Sequence, residues 1–149
     1  MKTKTLKEKS TIIIFEGADR VGKDTFAKMF NEYTKYKYLI FVRAFYSNHL
    51  YDKKFNRHLD RPSNYWQREL RKLVSKFNVV VVLVSATNLQ LGQLTPEYVK
   101  DQLIFDSNFS KFMSESGVEH FIRIQNPGDK RIELKIGYLN RLLKKWHVN

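Results

Sequence analysis

The chain has no cysteine among its 149 residues, which excludes disulfides and thiolate metal sites. No apolar run approaches the ~20 residues that a membrane-spanning helix needs. The first residues, Met1-Lys2-Thr3-Lys4-Thr5-Leu6-Lys7-Glu8-Lys9, are basic but lack the apolar centre of a signal peptide. There are no internal repeats and no low-complexity tract, so repeat arrays are not expected. Acidic residues are in short supply: 15 Asp and Glu stand against 27 Lys and Arg, a formal charge of +12. That balance favours anionic partners, nucleotides or nucleic acid, although a lysine-rich solvated surface has the same composition. The hydrophobic content of 42% and charged content of 28% are globular values. Together these features predict one soluble, cytoplasmic domain over residues 1–149, with 1–10 as a flexible basic tail and no membrane partner.

What is present is concentrated near the start. Thr11-Ile12-Ile13-Ile14-Phe15 is a short β-branched run that reads as a buried strand. Gly17, four intervening residues, Gly22 and Lys23 follow, and a helical pattern begins at once. Glycines permit the tight turn that aims successive N–H groups at a phosphate, and the helix N-terminus adds its partial positive charge. A lysine at this place reaches the outer phosphates. Ser or Thr normally follows that lysine and ligates Mg²⁺; here Asp24 follows, with Thr25 one place later. A turn that binds nothing would not need strand, glycine loop, lysine and helix in this order.

Further along, the pattern predicts a helix over 23–33 with Phe26, Ala27, Phe30 and Tyr33 inward, and a strand over 38–42 buried on both faces. A short helix over 44–51, a basic loop to Pro62 and a helix to about 77 come next, the last with Trp66, Leu70, Leu73 and Val74 inward. Val79-Val80-Val81-Val82-Leu83-Val84 should be a central parallel strand. A loop over 88–94 precedes a helix capped by Thr95 with Pro96 in its first turn, ending before Gly117. A strand over 118–124, a turn at Asn126-Pro127-Gly128-Asp129 and a helix over 130–146 complete the chain. Strands alternating with helices mean an α/β fold with a parallel sheet.

At Phe15-Glu16-Gly17-Ala18-Asp19-Arg20-Val21-Gly22-Lys23-Asp24-Thr25 the sequence resembles thymidylate kinases. The ending Gly22-Lys23-Asp24-Thr25 is also similar to certain phage deoxynucleoside monophosphate kinases. Arg43-Ala44-Phe45-Tyr46-Ser47 resembles the Asp-Arg-aromatic-x-x-Ser region of the same kinases. The loop match is short and specific, and the remainder is topological. The resemblance implies a three-layer P-loop fold of four or five parallel strands flanked by helices, and often a homodimer. It implies transfer of the γ-phosphoryl group from ATP, with Mg²⁺, to a (deoxy)nucleoside monophosphate such as dTMP. On it, Lys23, Arg20 and Arg43 are catalytic, and Gly17, Asp19, Arg20, Val21, Gly22, Lys23, Asp24 and Thr25 hold the ATP phosphates. Asp19 and Arg43 would meet the acceptor, Asp24 the metal, and Asn126-Pro127-Gly128 the adenine. One class of these kinases uses a loop arginine at the place of Arg20 and none in the later lid, as in 88–94 here.

The chain departs from the family in three places. Val42 stands where the family has Asp, no acid ends the run 79–84, and an acceptor-binding strand and helix are missing before Arg43. Those departures support one alternative, a degenerate nucleotide-binding sensor or nucleic-acid-associated module, and the charge of +12 favours another, a polynucleotide 5′-kinase. His49, His58, His120 and His147 show no metal-ligand spacing. Arg57, Arg61, Arg68 and Arg71 with Tyr65 and Trp66 suit either a basic-aromatic surface or, preferably, an ordinary amphipathic helix. Asp101 and Asp106 fall on a helix too far along to be expected at a metal.

Overall fold

The computed structural model describes residues 9–18, 21–57, 61–87, 95–126 and 131–146. The isoleucine run forms β1 (Thr11–Glu16), buried at every position. There follow α1 (Lys23–Tyr33), β2 (Leu39–Val42), α2 (Phe45–Lys54), α3 (Tyr65–Val74) and β3 (Asn78–Ala86). The chain continues with α4 (Pro96–Glu115), β4 (His120–Asn126) and α5 (Ile132–Lys145). The strands make one four-stranded sheet, order β2-β1-β3-β4, parallel throughout. The chain steps outward from β1 to β2 and then returns past β1 to β3. The turn after β1 therefore lies where the winding reverses, at the carboxyl edge.

Helices cover both faces. On one, α1 packs on β1 and β2, and α5 on α1 and β4; on the other, α2, α3 and α4 pack together, with α3 and α4 against β3. Phe15 sends its ring towards α1, with centroids 5.8 Å from Phe26 and 5.7 Å from Phe30. Tyr46, fully buried, holds the other layer, its ring against Phe105, Phe109 and Phe112 and its hydroxyl donating to the Phe105 carbonyl.

Several expectations need correction. The strand expected to be buried on both faces is an edge strand: Leu39 is 53% exposed and Phe41 46%. Ile40 and Val42 lie in register with Ile13 and Phe15 on the side that α1 covers, whereas Leu39 and Phe41 face the other way. Apolar continuity alone does not distinguish a central strand from an edge. Tyr33, expected inward, is 53% exposed at the end of α1. The last strand begins and ends two residues later than expected, so Asn126 belongs to β4 and not to the turn. α2 extends to Lys54, shortening the basic loop, and Thr95 precedes α4 without a side-chain capping bond. Of the expected basic tail, residues 1–8 lie outside the described residues. Lys9 is fastened: its Nζ donates to the Ser75 carbonyl at 3.2 Å, and its own carbonyl accepts from Asn78 Nδ2 at 3.0 Å.

This arrangement predicts opposite costs for two apolar truncations. Phe15→Ala should destabilise by about 3–5 kcal/mol in urea unfolding, whereas Leu39→Ser should cost under about 0.5 kcal/mol. Comparable losses would contradict the exposed edge.

Candidate functional site

At the end of β1 the chain must reverse into α1 beside β3. Gly17 has φ 157°, and a Cβ there would stand 2.6 Å from the Val84 carbonyl oxygen and 2.9 Å from Val21 Cγ2. Glycine is required by that close approach. Gly22, immediately before α1, is left-handed (φ 78°, ψ 22°), and a Cβ would fall 2.4 Å from Asn126 Nδ2. That same Nδ2 donates to the Val21 carbonyl at 3.0 Å. The turn is thus held by the ends of both β3 and β4, and Asn126 is buried against it.

Lys23 opens α1. It is only 3% exposed, and its Nζ donates to the Ala18 carbonyl at 3.1 Å. A buried ammonium is costly without partners, and this one is kept over the turn by the turn's own backbone. Asp24 and Thr25 occupy the exposed first turn of α1, before which Gly22 has no side chain to cap it. The partial positive charge of the helix N-terminus and Lys23 therefore meet at one place.

Arg43 ends β2 on the adjacent side. Its N–H donates to the Phe15 carbonyl at 2.9 Å, and its φ of 61° is left-handed. Such a backbone costs a non-glycine residue roughly 1–2 kcal/mol, and strain of this kind gathers at functional positions. Arg43 is exposed at the same sheet edge as the turn.

The residue that fixes these parts is Glu16, which sequence reasoning did not single out. Its carboxylate is buried at the end of β1. Oε2 accepts from the N–H groups of Ala44 at 3.2 Å and Tyr46 at 3.1 Å. Oε1 accepts from the Ser47 N–H at 3.3 Å and from the Ser47 hydroxyl. The residue preceding α2 is Ala44, which has no side chain able to cap, so the helix takes its cap from another element. Two signals were available: an acid closing an otherwise apolar strand, and a helix start lacking Ser, Thr, Asp or Asn at its cap. Burial pushes the Glu16 carboxyl above its ordinary value, against the pull of these hydrogen bonds.

No acid ends β3 in the sequence, yet a carboxylate reaches that end from α4. Asp106 Oδ1 accepts from Ser85 Oγ and Gln102 Nε2, both at 2.8 Å, and Gln102 Oε1 accepts from the Ala86 N–H at 3.2 Å. Asp101 points elsewhere, paired with Lys54 at 2.9 Å. Among the described residues, no three His, Cys, Asp or Glu side chains group as metal ligands. His49 packs on Phe112 and His120 on Trp146. Of the four arginines considered with Tyr65 and Trp66, Arg61 sits over both rings and is tied to Asp52 at 2.5 Å. Arg68 and Arg71 instead line a groove of about 990 Å³ among α2, α3 and α4, to which no residue of the β1–α1 turn contributes. The Asp19 and Arg20 expectations, the loop over 88–94 and Pro127-Gly128 lie outside the described residues. The structure therefore brings Gly17, Val21, Gly22, Lys23 and Arg43 to one edge. Comparison of the sequence with protein-family models and with curated proteins finds no match to either.

Glu16→Ala should destabilise the fold by about 2–3 kcal/mol, because it leaves buried N–H groups of α2 unpaired. The pH dependence has a definite sign. With its pKa raised in the fold, Glu16 binds its proton more tightly there than in the unfolded chain. Its contribution is thus full below the ordinary 4.5 and lost as pH rises through the raised value. Urea midpoints of the parent should fall over that window, and Glu16→Gln should remove the fall. Equal slopes for the two proteins would contradict the assignment.

Proposed function

We propose that the chain is a P-loop nucleotide kinase, passing the γ-phosphoryl group of ATP to a (deoxy)nucleoside monophosphate at the carboxyl edge of the sheet. The observation that carries this reading is Lys23, a buried ammonium held at a two-glycine turn at the N-terminus of α1. An anion entering the turn offers that ammonium a charged acceptor in place of the Ala18 carbonyl, and charge-assisted bonds are the stronger.

In this reading an acceptor phosphate oxygen attacks the γ-phosphorus, and the bond to the β–γ bridging oxygen breaks, leaving ADP. The protein's work is positioning and charge compensation. The N–H groups of the turn bind the phosphates, Lys23 neutralises the moving group, and Arg43 orients the acceptor phosphate from β2. Arg20 supplies transition-state charge in the way the loop resemblance implies. Mg²⁺ takes one or two protein carboxylates with phosphates and waters, so the lone exposed Asp24 of the first helical turn fits it, and the ion would add charge neutralisation of the phosphates. Val42, half-buried and apolar where a carboxylate would organise the metal, favours a second reading in which the site binds nucleotide with little turnover.

ATP consumption, screened with Mg²⁺ against ribo- and deoxynucleoside monophosphates and a 5′-hydroxyl oligonucleotide, tests the proposal. Turnover with one mononucleotide acceptor is expected, lost in Lys23→Ala. Arg20→Ala should lower kcat more than it changes nucleotide affinity. Turnover and affinity unchanged in Lys23→Ala would overturn the site, and nucleotide binding without any turnover would leave the second reading. Activity confined to the oligonucleotide would replace the acceptor.

A further inference from the structure

A groove of about 990 Å³ lies among α2, α3 and α4, apart from the β1–α1 turn. Its walls are two stripes. Lys100, Ile104, Asn108 and Lys111 recur every three or four residues along α4, and Gln67, Arg68 and Arg71 share one face of α3, with Asn64 just before it. Lys53 and Lys54 close one end from α2. Six cations thus face three acids, Glu97, Asp101 and Glu115. Lys54 already holds Asp101 at 2.9 Å and Glu97 at 3.2 Å, and Arg71 donates to the Glu115 backbone carbonyl. Lys53, Arg68, Lys100 and Lys111 are exposed and make no ion pair among the described residues. Four unneutralised charges therefore stand along one channel.

We infer that this groove is a track for the phosphodiester backbone of single-stranded nucleic acid. From Lys100 to Lys111 the stripe runs about 16 Å at ~1.5 Å per residue, so it meets several phosphates of an extended strand, where a free anion would need only one cluster. Asn64, Gln67 and Asn108 add neutral donors and acceptors suited to phosphate and sugar oxygens. Apolar lining is confined to Leu50, Ile104 and Phe112, of which Leu50 and Phe112 are buried. A second copy would bring a like charge of +12 towards the same positive surface. Contacts to phosphate and sugar carry no base readout, so binding is tolerant of base sequence.

The test is fluorescence anisotropy of the full chain with a labelled deoxythymidine dodecamer across a salt series. The double substitution Arg68→Ala, Lys111→Ala should weaken binding about tenfold or more. It should also reduce the slope of log affinity against log salt by about 1.4, at about 0.7 for each phosphate contact. Lys28→Ala with Lys144→Ala, on α1 and α5 of the opposite face, should change affinity by less than about threefold. Lys23→Ala should leave the dodecamer bound, which separates this site from the nucleotide reading of the β1–α1 turn. If circular dichroism finds the first pair unfolded, Lys53→Ala with Lys100→Ala replaces it. Three outcomes would overturn the inference: no binding of the dodecamer, equal weakening by the opposite-face pair, or better competition from a DNA duplex or polyglutamate than from unlabelled single strand.

Discussion

A single carboxylate connects the two halves of the described structure. Glu16 ends β1 at the carboxyl edge, and its two oxygens take the backbone donors of Ala44, Tyr46 and Ser47 at the start of α2. Between these anchors lies Arg43, itself bound through its N–H to Phe15. A left-handed arginine is strained, and strain survives only where the neighbours on each side are fixed. Here they are fixed by β1, the same strand that delivers Gly17 and the turn. The backbone at Arg43 is therefore tied on both sides to the strand that leads into the turn.

The turn is specified by contact as much as by conformation. Gly17 is confined by the Val84 carbonyl and Gly22 by the Asn126 amide, so two strands shape the backbone that α1 leaves. Lys23 stays buried because a carbonyl is placed to receive it. The described part of this edge is thus held by contacts within the fold itself.

Much of this was legible in the sequence for identifiable reasons. The isoleucine and valine runs could only be interior strands, and Gly17, Gly22 and Lys23 at their spacing defined the turn. Position within the sheet was not legible. The run at 38–42 is as apolar as a central strand, and only the pairing order exposes Leu39 and Phe41. Contacts across long separations were also hidden: nothing near Glu16 announces a helix start 28 residues away, nothing near Asp106 announces Ser85, and Asn126 reads as a turn residue until its amide is found on Val21. The groove was half visible. Arg68 and Arg71 were seen to share a face, but their facing wall on α4 is a tertiary fact.

The strand order has a consequence for how the molecule comes into being. β1 pairs with β2 soon after it in sequence, but its other edge waits for β3, with Thr11 opposite Asn78 and Glu16 opposite Leu83. The wall against which Gly17 closes, the Val84 carbonyl, belongs to that late partner, and the Asn126 amide that holds Val21 arrives later still. On a chain emerging from the ribosome, the earliest motif to be written is thus among the last to be shaped. A nascent chain stalled before β4 would carry every residue of the turn and lack the frame that makes it one.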